Sequence, residues 1–162
     1  MAKIIVYTRP DGGVSVVNLS PRAIAETFGG SEEAALSGAQ VNRKIVPPGS
    51  TDVTVINAVT VPNDRWFRDA WFNTAGAIDV DLPKAREIQA ARISHALGLE
   101  IARLKLSEQQ ARLAGRPNDA TADAATRTAL EVLDLTVLET QIGAAANASG
   151  LKAVWPAQVP KP

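Results

Sequence analysis

The 162-residue chain has no cysteine, a single histidine and few aromatic residues, and its charges cancel. Without cysteine it can have no disulfide framework, no thiolate zinc site and no cysteine nucleophile, and one histidine excludes the common metal sites that use several. Seventeen basic and seventeen acidic residues give no net field that would gather nucleic acid or an anionic membrane surface. We therefore expect no nucleic-acid partner and no cofactor.

Long apolar runs are also missing. No window approaches the roughly 20 apolar residues that a membrane-spanning helix needs. The first residues form a short β-branched run after a single lysine, which is too short for a secretory signal and is typical of a first strand. We expect a soluble protein with no membrane partner.

The apolar fraction is 46%, enough for a folded core, but after residue 85 much of it is alanine. Alanine favours helix and buries little area per residue. The C-terminal half is therefore expected to pack helix against helix at close range.

The first part of the chain has strand and helix signals in alternation. Residues 4–8 and 14–18 are β-branched runs separated by a Pro-Asp-Gly-Gly turn, which predicts a β-hairpin. Ser20 and Pro21 predict the start of a short helix that ends at residue 28, and Ser31 the start of a second one. A third strand is expected over residues 52–61.

An aromatic segment follows this strand. Residues 65–72 are predicted to be helical, with Phe67 and Trp71 on one face because they lie four residues apart. A turn over residues 73–76 then leads to a short exposed strand at 77–81, where apolar and acidic residues alternate.

The remainder predicts two long helices. The first covers residues 81–114, with Ile93, Leu97, Ile101 and Leu104 on one face. A Gly/Pro loop precedes the second, which is predicted as one helix over residues 121–146, and the short loop favours an antiparallel hairpin.

The second long helix has more apolar surface than one partner helix would cover. Its main stripe consists of Leu130, Leu133, Val137, Leu138 and Ile142. Val132 and Leu135 lie outside that stripe. Either the N-terminal module or the hairpin of another subunit could cover them. We expect the hairpin of another subunit, and therefore a homo-oligomer.

These patterns together predict an α+β fold with three parts. Residues 1–80 form a small α+β module with a β-hairpin and short helices, and residues 81–146 form the long antiparallel helical hairpin. Residues 147–162 form a short helix turn and a loose proline-containing tail.

Carboxylates are the first candidates for chemistry. Asp64, Asp69, Asp79 and Asp81 could be imagined as a metal site or an acid/base pair. Alternating acidic residues on an exposed strand are usually solvated, and these lack both the spacing of a calcium loop and a histidine partner. We predict neither a metal site nor a catalytic site here.

His95 is the second candidate and lies within the first long helix. A catalytic histidine needs an oriented nucleophile or carboxylate, and the neighbouring Ser94 points about 100° away around the helix. We expect His95 to lie beside the apolar stripe without a catalytic role. No nucleotide-binding glycine motif or nucleophile elbow occurs either, so we predict no catalytic residue and no small-molecule substrate.

Arg65, Arg68, Trp66 and Trp71 could form a patch that stacks and binds single-stranded nucleic acid. An aromatic cluster in a chain with so few aromatic residues more often forms its core. Asp64 and Asp69 also cancel the local charge. We therefore predict core packing.

Three segments resemble a family of small virion (tail-module) proteins from tailed-phage and prophage genomes. Residues 4–16 match I-I-x-Y-x-R-P-D-G-G-V-S-V, residues 62–71 match P-x-D-R-x-F-R-x-A-W, and residues 81–88 match D-x-P-K-A-R-E-I. Residues 151–156 also look similar, so the resemblance covers nearly the whole chain. The residue after the first arginine of the central motif, Trp66, is the one visible departure.

The resemblance implies a virion component and brings no catalytic residue, substrate or cofactor. We expect a non-enzymatic phage structural protein of the tail or tail fibre, with other phage structural proteins as partners. It would be assembled in the host cytoplasm and located in the virion. The alternative is a tail or fibre assembly chaperone that is absent from the mature particle.

Overall fold

The structure is a computed structural model that describes the backbone of residues 2–162, and the side chains of all these residues except 27 and 28. Strands and short helices come first and long helices follow, so the predicted α+β class is confirmed. The chain divides into two compact units, of which the first ends at Asp81 and the second begins at Leu82.

A three-stranded antiparallel sheet with the order β2-β1-β3 forms the centre of the first unit. Its strands are β1 (Lys3–Thr8), β2 (Val14–Val17) and β3 (Thr51–Asn57). β1 and β2 form the predicted hairpin, whose turn is closed by the N–H of Arg9, which donates to the carbonyl of Gly13 at 2.7 Å. Since β3 pairs with the other edge of β1, β1 is the central strand.

Two helices follow the hairpin, at the predicted places. α1 (Pro21–Phe28) and α2 (Glu32–Val41) each begin after a serine whose hydroxyl accepts a backbone N–H of the first turn. The distances are 3.1 Å for Ser20 and 3.2 Å for Ser31. These caps satisfy donors that would otherwise have no partner at the start of each helix.

Both faces of the central strand are buried. Ile4 and Val6 belong to a hydrophobic cluster that includes Trp71, whereas Ile5 and Tyr7 belong to another cluster that includes α2 residues. Successive strand residues point to opposite faces, so these clusters lie on opposite sides of the sheet. The run of apolar residues in β1 follows from this two-sided burial.

The predicted helix over residues 65–72 is wrong. Only Arg68–Ala70 forms a single 3₁₀ turn, after which β4 (Trp71–Thr74) pairs with β5 (Ala77–Val80) in an antiparallel hairpin. The side chain of Trp71 is buried with residues of β1 and β5, and this tertiary packing outweighs the local four-residue spacing of the aromatic residues.

The turn of this second hairpin uses two left-handed residues. Ala75 has a φ of 50° and Gly76 a φ of 93°, which matches the twist of a two-residue hairpin turn. The side-chain oxygen of Asn73 accepts the N–H of Gly76 at 2.9 Å, and its amide nitrogen donates to the carbonyl of Asp52, also at 2.9 Å. Asn73 thus joins the turn to the start of β3.

The second unit is helical. α3 (Leu82–Leu113) has 32 residues and is therefore about 48 Å long. α4 (Pro117–Glu131) packs along it and forms the predicted helical hairpin. α5 (Thr136–Ala144) and α6 (Ala148–Ala153) complete the unit and also contact α3.

The prediction of one helix over residues 121–146 is wrong. The helix begins earlier, at Pro117, because proline is well suited to the first helical position. It is interrupted between Glu131 and Thr136. The carboxylate of Asp134 accepts both the backbone N–H and the hydroxyl of Thr136, and such local bonds compete with continuous helix.

The C-terminal segment is not loose, contrary to the expectation for residues 147–162. Val159 is 4% exposed and lies in one cluster with Leu104 and Leu130, and Trp155 packs against this cluster. The indole N–H of Trp155 donates to the carbonyl of Val159 at 2.8 Å, which closes the segment into a turn. The prolines fix the path of the segment, and its apolar residues complete the helical core.

Gly76 provides a test of the second hairpin. A Cβ at this position would lie 2.7 Å from Cγ2 of Ile56, in addition to the positive φ. We expect Gly76→Ala to lower the free energy of unfolding of the first unit by about 2–3 kcal/mol. Urea unfolding followed by tryptophan emission in a Trp155→Phe background would measure this loss.

Gly29→Ala is the matched control, because Gly29 has a φ of 61° and open space around its Cα. Only the left-handed conformation is penalised there, at about 1 kcal/mol. Equal losses for the two variants would show that the contact with Ile56 is not tight.

Candidate functional site

The four carboxylates considered from the sequence do not assemble into a site. Asp64 and Asp79 each accept a nearby backbone N–H, from Trp66 at 2.9 Å and from Val80 at 2.7 Å. Asp69 is exposed, and the backbone N–H of Asp81 donates to the carbonyl of Ala70. Within residues 2–162, no three acidic or histidine side chains are grouped so as to hold a metal ion.

Phe67 and Trp71 of the aromatic segment lie in the core, as predicted, whereas Trp66 is half-buried and Phe72 is exposed. Trp71 is 2% exposed and Phe67 is also buried, so neither ring is open for a base to stack on. The guanidinium of Arg65 lies 5.9 Å from the centre of the Trp71 ring, which is within range of a cation–π contact. Arg65 therefore covers the outer side of this core cluster.

A depression of about 620 Å³ lies beside α2 on the first unit, and polar side chains form much of its lining. Lys3, Glu32 and Glu33 contribute charge, and Leu36 and Val55 contribute apolar surface. The backbone N–H of Lys3 donates to Glu32 at 3.2 Å. Ser31, which also lines the depression, has its hydroxyl engaged as the cap of α2, where it accepts the N–H of Ala34.

A charged network crosses the helical hairpin. Glu108 is buried, and it accepts hydrogen bonds from Arg112 on its own helix and from Arg127 on α4, the latter at 3.3 Å. Arg127 also donates to Glu131 at 2.7 Å. The bond to Glu131, supported by the bond to Glu108, raises the pKa of Arg127. This network fixes the register of α4 on α3.

Two further polar contacts hold the C-terminal part of the second unit to α3. The fully buried side chain of Gln89 donates to the carbonyl of Val154 at 2.7 Å. Arg86 donates to the carbonyl of Ala145 at 2.9 Å. The loops before and after α6 are therefore anchored along the first half of α3.

The outer face of α3 has a line of exposed leucines. Leu99, Leu106 and Leu113 are 59%, 56% and 90% exposed, and we call them the leucine line. Seven-residue spacing keeps them on one face over about 21 Å. At about 100° per residue, Leu106 lies about 160° around the helix from the buried Leu104. The line therefore faces away from the core.

His95 lies on this outer side and is exposed. The sequence assigned the excess apolar surface to the second long helix and placed the stripe of α3 on Ile93, Leu97, Ile101 and Leu104. Ile93 and Leu104 are buried, but the leucine line was overlooked. Its seven-residue repeat is visible in the sequence and could have revealed it.

A groove lies between α3 and α5. It encloses about 310 Å³ and we call it the α3–α5 groove. Its lining is mainly apolar, with one carboxylate at its edge. The main lining residues are Ala90, Ile93, Leu135, Leu138, Glu139 and Ile142.

The segment 131–139, between α4 and the first turn of α5, forms one wall of this groove and carries further apolar surface. Val132 is 75% exposed and Val137 is 59% exposed, so the predicted surplus on the second helix is present at Val132. All three charged residues of the segment are acidic: Glu131, Asp134 and Glu139. We call it the acidic bend.

Charge distinguishes the two helical surfaces. α3 contains six basic and three acidic residues, whereas residues 128–151 contain three acidic residues and no basic one. Hydrogen bonds from the hydroxyl and the backbone N–H of Thr136 hold the pKa of Asp134 below its ordinary value, so this carboxylate is ionised at neutral pH. The leucine line thus belongs to a basic helix, and the groove has an acidic wall.

No helix in the described part of the chain is both long and apolar enough to cross a membrane. Comparison of the chain with protein-family models, curated proteins and solved structures finds no match.

The buried Glu108 should contribute more to stability than its exposed neighbour. Glu108→Gln removes the charge that two arginines share, and we expect a loss of about 1–2 kcal/mol in the free energy of unfolding of the second unit. Glu131→Gln is the control. Because Glu131 is exposed, its substitution should lower the free energy of unfolding by a smaller amount. Chemical unfolding followed by far-ultraviolet circular dichroism would compare them. Equal losses would contradict the role of burial.

Glu100 lies next to the leucine line and has a lowered pKa. Its carboxylate accepts two hydrogen bonds from Arg103, at 2.8 and 2.6 Å, and these lower its pKa below the ordinary value of 4.5. A carboxyl with a lowered folded-state pKa stabilises the fold above the ordinary pKa. Its contribution is lost as the pH falls from about 4.5 through the folded-state pKa.

Arg103→Gln should return the pKa of Glu100 towards 4.5. Nuclear magnetic resonance titration of the Glu100 carboxyl carbon would measure the change. Arg112→Gln removes an arginine that is bonded to Glu108 and should leave Glu100 unaffected. An unchanged titration of Glu100 in Arg103→Gln would show that another group lowers its pKa.

Proposed function

We propose that this chain is a non-enzymatic structural protein of a tailed-phage particle, in the tail or its fibre apparatus, and that it acts through contacts with other proteins of that particle. Residues 4–16, 62–71 and 81–88, which resemble the phage family, supply the biological context. In this proposal the protein is assembled in the host cytoplasm and is retained in the virion.

The observation that carries the proposal is the exposed apolar surface of the second unit. Three leucines with exposures of 56–90% recur at every seventh residue on one helix face, with Ala102 between the first two, rather than being scattered over the surface. Covering such a side chain contributes about 1–2 kcal/mol to a complex. The leucine line and the α3–α5 groove together offer the apolar anchors that protein interfaces use.

An assembly chaperone is the second candidate, and the α3–α5 groove favours it. An open groove of about 310 Å³ with apolar walls has room for a few apolar side chains from a helix of a tail or fibre subunit before assembly. Such a protein would leave when its client is incorporated. The two roles therefore differ in whether the chain remains in the mature particle.

Particles released by a host that encodes the chain provide the test. They would be purified on a density gradient, and the chain would be quantified by mass spectrometry relative to the major tail protein. A fixed copy number is expected for a structural component. Absence from particles, together with co-purification with a tail or fibre subunit from the lysate, would support the chaperone. Absence from both would contradict both roles.

A further inference from the structure

The leucine line is a convex apolar surface with basic flanks. Arg92 lies one heptad before Leu99, in line with it, while Arg103 lies on one side of the line and Lys105 on the other, as the helical period places them. Ala102 lies between Leu99 and Leu106, where its small side chain permits close approach. Of the acidic residues of α3, Glu108 is buried, Glu87 lies about 18 Å before Leu99 along the helix, and Glu100 is bonded to Arg103 on the side of the line nearer the core.

The α3–α5 groove is the complementary shape within the same chain. It is concave, its walls are apolar, and Glu139 lies at its edge. The acidic bend adds Asp134 and Glu131, of which Glu131 is bonded to Arg127 at the end of α4. The leucine line, which is convex, apolar and flanked by basic residues, is therefore complementary to this groove in shape, polarity and charge.

We propose that a second copy of this chain occupies the groove: the leucine line of one copy packs into the α3–α5 groove and against the acidic bend of the next. This inference deepens the proposed function, on which it rests, by naming the partner of the same surface. The contact is heterologous, since it joins two different patches.

Charge argues against a symmetric contact between two leucine lines. Such a pair would bring the basic residues Arg92, Arg103 and Lys105 of one copy towards the same residues of the other, and Glu100, which is bonded to Arg103, offsets only part of their formal charge. Two acidic bends would repel each other for the same reason. Only the mixed contact places opposite charges together.

The two surfaces leave room for each other on one molecule. Ile93, in the groove, lies about 140° around α3 from Leu106, and the two are separated by about 20 Å along the helix. One copy can therefore contact two neighbours at once. Heterologous contacts of this kind build rings when they close and filaments when they do not, both of which suit a tubular particle part.

Complementary variants of the full-length chain test the contact. Leu99→Glu/Leu106→Glu removes the leucine line and keeps the groove, whereas Val137→Lys/Glu139→Lys cancels the formal charge of the acidic bend and keeps the leucine line. All four side chains lie on exposed surface, so both variants should fold, and circular dichroism checks this.

Sedimentation measures the mass of each protein at concentrations up to about 1 mM, the weak end of specific association. We expect the wild-type mass to rise with concentration and the dissociation constant of each variant with itself to increase about tenfold or more. An equal mixture of the two variants should form a complex of one copy of each, because one intact contact remains.

The controls are Val59→Glu and Val41→Lys, which place a charge on exposed valines of the first unit and should associate like the wild type. Self-association of either interface variant at wild-type strength would overturn the inference, as would a mixture that stays monomeric.

The same measurements separate the inference from the proposed function. A wild-type chain that stays monomeric in solution yet occurs in particles at fixed copy number would overturn the self-contact and leave the structural role in place. A chain that self-associates as expected but is absent from particles would overturn the structural role alone.

Discussion

The inner face of α3 must be covered from two sides, and the structure of the second unit depends on this. Alanine contributes little buried area, so α4 alone cannot shield Leu97, Ile101 and Leu104. The C-terminal segment returns and supplies Trp155 and Val159 to the same cluster. Gln89 and Arg86 hold that returning chain by its carbonyl groups. The chain end is therefore part of the core.

Polar contacts set the register that apolar packing leaves open. Alanine-rich helices can slide along each other with little change in buried area. Glu108 prevents this, because a buried carboxylate needs its hydrogen bonds and Arg127 meets it only in one alignment of α4 on α3. The interruption at Asp134 then turns the chain into α5 and opens the groove between α3 and α5. The candidate interface thus follows from the way the core is aligned.

The sequence predicted what depends on local residues. The first hairpin, the serine caps at Ser20 and Ser31 and the span of α3 follow from turn chemistry, capping and helical period, and all are confirmed. It failed where distant residues decide. Trp71 lies in a strand because β1 and β5 surround it, and Val159 is ordered because Leu104 and Leu130 need a cover.

The exposed leucines could have been predicted and were not, because a helix with two apolar faces gives no single stripe. When side-chain hydrophobicity is added as vectors around the helix axis, two opposite apolar faces cancel. The stripe through Leu104 therefore masks the one through Leu106. At an exposed helix position, Glu, Lys or Gln has a helix propensity similar to that of Leu and exposes no large apolar side chain. Gln109 and Gln110, which lie between Leu106 and Leu113 in the chain, are polar residues of this kind. Leucine at every seventh position serves no need of the hairpin itself, and a second surface explains it.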